Sequence, residues 1–185
     1  LVASHGYLLG QFLNPNINRR SDAYGGSRAG RMRFLQEAIA AARRGAGEDM
    51  VLGVRLSGDE KDHGGTELDE MLEVCAALDA NRALDYLNVT AGTSAGLAGS
   101  THIVPPMAYE VAYTVPIAAA VKARVGKPVF VAGRINQPQT AAAVLQSGQA
   151  DMCGMTRALI SDPQMPAKAA RGAFDDIRAC VACNQ

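Results

Sequence analysis

The sequence predicts an α/β protein, the C-terminal half of a (β/α)8 TIM barrel with parallel strands. Three observations carry this. Short apolar runs alternate with stretches of helical periodicity, joined by connections of a few residues. The strand candidates are apolar throughout, the pattern of a parallel sheet covered on its helical face. Four strands are clear, and the opening LVAS makes a fifth, in 185 residues, whereas a whole barrel takes about 250. The same layout also admits a doubly wound sheet.

The elements follow in order. Residues 28–47 read as a helix, with apolar residues at helical spacing and Gly45 and Gly47 as the stop. MVLGVRLS (50–57) is a buried strand. Residues 66–82 form a second helix, with Thr66 as N-cap and Glu70 shortly after. ALDYLNVTAG (83–92) is a strand, followed by a glycine- and serine-rich loop. Residues 115–126 are helical and PVFVAGRI (128–135) is a strand. Residues 137–149 are a helix with proline in its first turn. Residues 150–159 begin as a strand, and 161–172 form a short terminal helix.

Composition narrows the function. Eighteen basic and eighteen acidic residues balance to zero net charge, so no basic field points to nucleic acid. No apolar run approaches the roughly 18 residues of a membrane helix. Cys75 and Cys153 lie in apolar stretches and read as small buried hydrophobes. Four cysteines do not make a disulfide scaffold, and a reducing, cytoplasmic setting is expected.

Chemistry in such folds sits at the C-terminal ends of the strands. Those ends carry Ser4-His5-Gly6-Tyr7, then Arg55, Asn88 to Gly92, Ala132-Gly133-Arg134 and Gly154-Met155-Thr156-Arg157. One such arginine alone reads as a helix cap or an aspartate partner. Gly133-Arg134 and Thr156-Arg157 come from consecutive final strands, where barrels keep a phosphate site. Glycine lets backbone N–H groups approach a phosphate oxygen, and arginine adds a charge-assisted fork. Cys180 and Cys183 form a C-x-x-C pair, which is half a zinc ribbon, half an iron–sulfur ligand set or a redox pair.

The stretch HGYLLGQFLNPNINRRSDAYGGSRAGRMRF resembles the signature of the old yellow enzyme family of flavin oxidoreductases. The match runs through Gly6-Tyr7-Leu8, Gln11-Phe12-Leu13, Pro15, Asn18, Arg20, Asp22, Tyr24-Gly25-Gly26-Ser27, Arg31 and Phe34. It continues through VRLS, VAGRI, GMTRALISDP and CxxCNQ, and so covers essentially the whole chain. The cysteine pair after the barrel resembles the iron–sulfur branch, with 2,4-dienoyl-CoA reductase, trimethylamine dehydrogenase and bacterial demethylases.

The resemblance implies FMN, hydride transfer at its N5, and a small-molecule substrate. It implies Arg55 beside the N1/C2-carbonyl edge of the flavin, and Gly133, Arg134, Thr156 and Arg157 as the FMN-phosphate cradle. It implies Tyr7 as proton donor to substrate carbon, His5 as ligand of an enone oxygen, and His102 as a relay partner of the tyrosine. At Val2 many members carry a second polar substrate ligand, usually histidine; here the clamp is incomplete. Cys180 and Cys183 match the first two of four ligands of a 4Fe-4S cluster. Residues 1–175 are then a partial FMN-binding barrel, about strands 4–8, and 176–185 the start of a cluster segment; FAD and NAD(P)H sites would belong to the full-length protein. The expected reaction is NAD(P)H-linked reduction of an activated C=C bond. Oxidative N-demethylation is the alternative, and a non-catalytic phosphate-binding or scaffold half-barrel is the alternative of another class. A half-barrel leaves two open sheet edges, so a homo-oligomer is also expected.

Overall fold

The computed structural model describes residues 1–184. Five parallel strands form one sheet: β1 (Val2–Ala3), β2 (Gly53–Asp59), β3 (Tyr86–Ala91), β4 (Val129–Ala132) and β5 (Met152–Gly154). Their spatial order is their sequence order. A doubly wound sheet reverses direction at a switch point; this one does not, so the wall is of the barrel kind. Right-handed crossovers then place every connecting helix on the same face.

The helices are α1 (Leu8–Leu13), α2 (Arg28–Ala46), α3 (Leu68–Asp79), α4 (Leu97–Ile103), α5 (Val115–Lys122), α6 (Pro138–Gln146), α7 (Thr156–Ser161) and α8 (Met165–Ala170). Helix α2 ends at the glycine its sequence predicts and begins on a serine cap. Ser27 Oγ accepts the Gly30 N–H at 3.2 Å, and Gly47, at φ +80°, donates its N–H to Arg43 O. Met32, Leu35, Ile39 and Arg43 recur at helical spacing and are buried. Full burial of Leu35 and Ile39 contributes roughly 1.5–3 kcal/mol each.

The strands are not uniformly buried. Val54, Leu56, Leu87, Val89, Val129 and Val131 are fully covered in the helix-side core. Their alternating neighbours face away, and the register sets Val2, Arg55, Asn88, Phe130 and Met152 in one row across the sheet. Val2 and Met152 are exposed at 49% and 53%. The open face is thus partly apolar, and Tyr86 stacks on Phe130 there at 4.3 Å. The apolar members of this face are why several strands read as continuous apolar runs.

Several boundaries differ from expectation. Thr66 does not cap α3; the helix starts behind Glu67. Thr66 is buried, and its N–H goes to the Glu60 carboxylate at 2.7 Å. A buried carboxylate needs donors, and Glu60 takes a second from Asn14 Nδ2 at 2.6 Å. The helix expected over 161–172 is shorter, α8 over Met165–Ala170, and an unexpected helix, α7, occupies Thr156–Ser161 just after β5. Pro163 pushes Asp162 to extended backbone (φ −140°, ψ 92°). The Asp162 carboxylate then accepts the Gln164 and Arg178 N–H groups and Lys168 Nζ. Helices α1 and α4 were not expected: each is a six- or seven-residue segment lodged in a loop. No helix among the described residues is long and apolar enough to cross a membrane.

Candidate functional site

A cavity of about 280 Å³ opens at the C-terminal ends of the strands. It gathers His5, Arg55, Gly133, Arg134, Thr156 and Arg157 from four different strands and their loops. Tyr7 is not part of its lining; it is 58% exposed, with its ring edge-to-face to the lining residue His5 at 6.3 Å between centroids.

His5 is the most constrained of these residues. Its backbone is left-handed (φ +59°), and so is that of Gly6 (φ +75°). A Cβ on Gly6 would lie 2.7 Å from Thr93 Oγ1, so the turn admits no side chain there. Ser57 Oγ accepts the His5 N–H at 2.9 Å, and both Ser94 N–H and Ser94 Oγ donate to His5 O. These bonds hold a strained residue at a site, the usual place for such strain. The imidazole is buried, with Nε2 3.4 Å from Thr90 Oγ1. Burial first, and the charge of Arg55 second, push its pKa down from 6.5 to about 4.

That depression has a stability consequence. Between pH 6.5 and about 4 the unfolded chain binds a proton that the folded chain refuses. Stability therefore falls as pH drops through this window, and the full penalty is reached below about 4. Thermal melts at successive pH values should show His5→Gln losing less stability than the parent between pH 6.5 and 4; parallel curves would contradict the assignment.

Arg55 lies at the middle of β2, the third of its seven residues, rather than at the strand's end. Burial lowers its pKa. Among the described residues it has no carboxylate partner. Asp59 pairs with Lys61, and Glu60 is held by Asn14 and Thr66. Arg55 is therefore a half-buried cation without a counter-charge, a costly arrangement unless an anion completes it.

Arg134 is also left-handed (φ +52°). Its Nη1 donates to Tyr109 O at 2.6 Å, while its Nε is buried without a partner among the described residues. Gly133 packs so closely on Thr114 that a Cβ would meet Thr114 Oγ1 at 2.3 Å. Arg157 donates from Nη1 to Asn184 Oδ1 at 2.5 Å and from Nη2 to Pro105 O at 3.0 Å. Three arginines on one cavity, one unpaired and one with an orphaned Nε, fit a phosphorylated, electron-rich ligand.

His102 is not in this group. It lies on α4 and lines a separate open depression of about 490 Å³ with Asp59, Lys61, Asp62 and His63. Its Nε2 is 3.4 Å from Tyr109 Oη, and its Nδ1 has no partner among the described residues. That depression is larger, but it lies away from the three arginines.

Cys75 is fully buried as expected, with its thiol pushed up to about 12, whereas Cys153, expected to be buried too, is only half-buried, on the helix side. Cys180 and Cys183 are free thiols, half-buried and exposed. No group of three or more metal-ligating side chains occurs among the described residues. Gln185, which closes the CxxCNQ match, lies outside the described residues.

Two parts of the wall escaped sequence reading. Asn136, two residues past Arg134, lines the cavity and holds Cys180 O through Nδ2 at 2.9 Å. Ala182, beside the exposed Cys183, is 4% exposed and lines the same cavity. Extending each strand end by two residues would have found Asn136; nothing local marks Ala182.

Fold and site together define a parallel α/β barrel wall with an arginine-lined mouth. The chain belongs to the NADH:flavin oxidoreductase / NADH oxidase family, whose model matches residues 1–176. It is similar to a metal reductase of Desulforamulus reducens, at 40% identity over 100% of this chain and 27% of that protein. It is similar to N,N-dimethylglycine/sarcosine dehydrogenase of Chromohalobacter salexigens, at 38% identity over 100% of this chain and 26% of that protein. Among solved structures, a 2-naphthoyl-CoA reductase complex with 2-naphthoyl-CoA superposes with a TM-score of 0.90 at 32% identity, over 100% of this chain and 27% of that one. The chain spans about a quarter of the length of the proteins it matches.

Proposed function

We propose that this chain forms part of the active site of an FMN-dependent oxidoreductase acting on a small molecule, with reduction of an activated C=C bond as its reaction. The observation that carries this reading is the cavity shared by unpaired Arg55, Arg134 with its orphaned Nε, Arg157 and His5. FMN, when bound, supplies a hydride donor and acceptor at N5. Arg134 and Arg157, with Gly133 and Thr156, hold its phosphate. Arg55 sets a fixed cation where negative charge accumulates on reduction. His5 stays neutral above about pH 4 and offers a hydrogen bond to the substrate's carbonyl oxygen. Tyr7, beside His5, delivers a proton to the substrate carbon. His102 enters only as a second proton site, since neither of its nitrogens bonds Tyr7 among the described residues.

The same proposal takes Cys180 and Cys183 as two of four ligands of a 4Fe-4S cluster in a longer, cytoplasmic protein, with residues 1–175 as barrel and 176–185 as the start of the cluster segment. FAD and NAD(P)H sites belong to that longer protein. The apolar part of the open sheet face is then covered by further barrel strands or by a second copy.

Val2 supports a second reading. It is exposed beside Arg55 on the row where a polar partner for an enone oxygen is wanted, so an N-methyl amine, whose reacting methyl carbon has no conjugated carbonyl to clamp, suits the mouth as well. The dehydrogenase relative acts in name on such amines.

The test is made on the purified full-length protein. A flavin absorbance band is expected, as isolated or after reconstitution with FMN. Its absence sinks the enzyme and leaves the scaffold. Anaerobic addition of dimethylglycine separates the two enzymes: bleaching of the band means amine oxidation, and no bleaching with NAD(P)H-driven turnover of an enone means reduction.

A further inference from the structure

The segment that carries the cysteines is bonded to the cavity wall at three points. Asn136 Nδ2 donates to Cys180 O at 2.9 Å. Asn184 Oδ1 accepts from Arg157 Nη1 at 2.5 Å, and Asn184 Nδ2 donates to Val104 O at 2.7 Å. Between them Ala182 packs into the cavity itself. Ala182 and Asn184 are both left-handed, at φ +57° and +61°. Each costs energy in a residue with a Cβ, asparagine less than alanine. The two turns fold the chain around Cys183 back onto the arginine. With Pro105 O taking Nη2, the guanidinium of Arg157 is fixed by groups 27 and 52 residues away in sequence.

A long arginine side chain loses conformational entropy when it grips a ligand. If its fork is already fixed, that cost is met before binding, which raises affinity without any new contact to the ligand. Asn184 also spares Arg157 a carboxylate partner. An amide oxygen orients the guanidinium but leaves its charge for an anion.

We propose that Asn184, supported by Asn136, is a positioning residue for the flavin-phosphate site: it holds Arg157 in its gripping rotamer and so couples the cysteine segment to the cofactor's phosphate. The inference rests on the FMN reading above. It is specific to the phosphate, because Arg157 reaches the ligand through its charge and its fork.

The experiment compares FMN with riboflavin, which lacks the phosphate. Dissociation constants are measured by quenching of flavin fluorescence, on the full-length apoprotein and on its Asn184→Ala and Asn184→Asp forms, with iron content recorded for each. The parent should prefer FMN strongly. Asn184→Ala should weaken FMN on the order of tenfold, the cost of ordering one rotamer-rich side chain at binding, and leave riboflavin unchanged. Asn184→Asp is nearly isosteric and serves if the alanine form does not fold. It places a carboxylate on Arg157 that competes with phosphate, so an equal or larger loss confined to FMN is expected. Unchanged FMN affinity overturns the proposal, as does an equal loss for both flavins, which marks a loosened fold. A parent that binds both flavins equally overturns the phosphate cradle itself, and the positioning role falls with it.

Discussion

Tyr7→Phe is expected to slow C=C reduction by about 10²–10⁴-fold, the usual worth of a positioned proton donor, with flavin reduction by NAD(P)H nearly unchanged. The expectation follows from where the phenol sits. Tyr7 is the N-cap residue of α1, held by its N–H to Ser4 O at 3.1 Å. The strained His5-Gly6 turn immediately before it is clamped by Ser57 and Ser94, so the ring is aimed by backbone rather than by packing. Its hydroxyl bonds no other group among the described residues and is 58% exposed at residue level. A hydroxyl with no structural partner is free to serve a substrate, and its removal should cost little stability. Stopped-flow measurement of the two half-reactions checks this. Equal loss in both would contradict the proton-donor role. An enzyme that oxidises amines needs no carbon protonated, so an unaffected variant turning over dimethylglycine would favour the second reading.

Arg55→Gln should cost about 10²–10³-fold in turnover, the scale measured for losing one preorganised charge-stabilising group. It should also make the two-electron potential of the bound flavin more negative, because the cation that favours the reduced, anionic form is gone. A third readout is independent of the flavin. Arg55 contributes, after burial, to holding His5 near pKa 4, so His5 should titrate higher in the variant, as read from its ring-proton NMR shifts. Stability should rise or stay level, since the parent buries half a guanidinium with no carboxylate partner among the described residues. A variant with lowered stability and an unmoved His5 would mark Arg55 as structural.

The legible part of this protein was the part written in local chemistry. The helix over 28–46 could be read because the spacing of Met32, Leu35 and Ile39 and the stop at Gly47 act within a few residues. The arginines could be placed near the mouth because parallel strands bring their C-terminal ends together whatever else the chain does. Arg55 shows the limit of that rule. It looked like a strand end, but β2 runs on to Asp59, paired there with Ala91 of β3. Thr66 shows another. Its cap geometry was plausible, yet the buried Glu60 carboxylate needed its N–H more. His102 was illegible for a different reason: its loop folds into α4, which turns the ring toward Tyr109 and Tyr113 rather than the arginines.

By itself the sequence determined the parallel α/β class, the family signature, and which residue types stand at each strand end, because hydrophobic period and turn chemistry are local. Tertiary structure alone decided the rest. Strand order chose a barrel wall over a doubly wound sheet, since order depends on how crossovers pack. Pairing left Arg55 without a counter-charge among the described residues and gave Asp59 and Glu60 to other partners. Two left-handed residues turned the cysteine segment onto Arg157. Those outcomes rest on contacts between residues tens of positions apart, which no window along the chain contains.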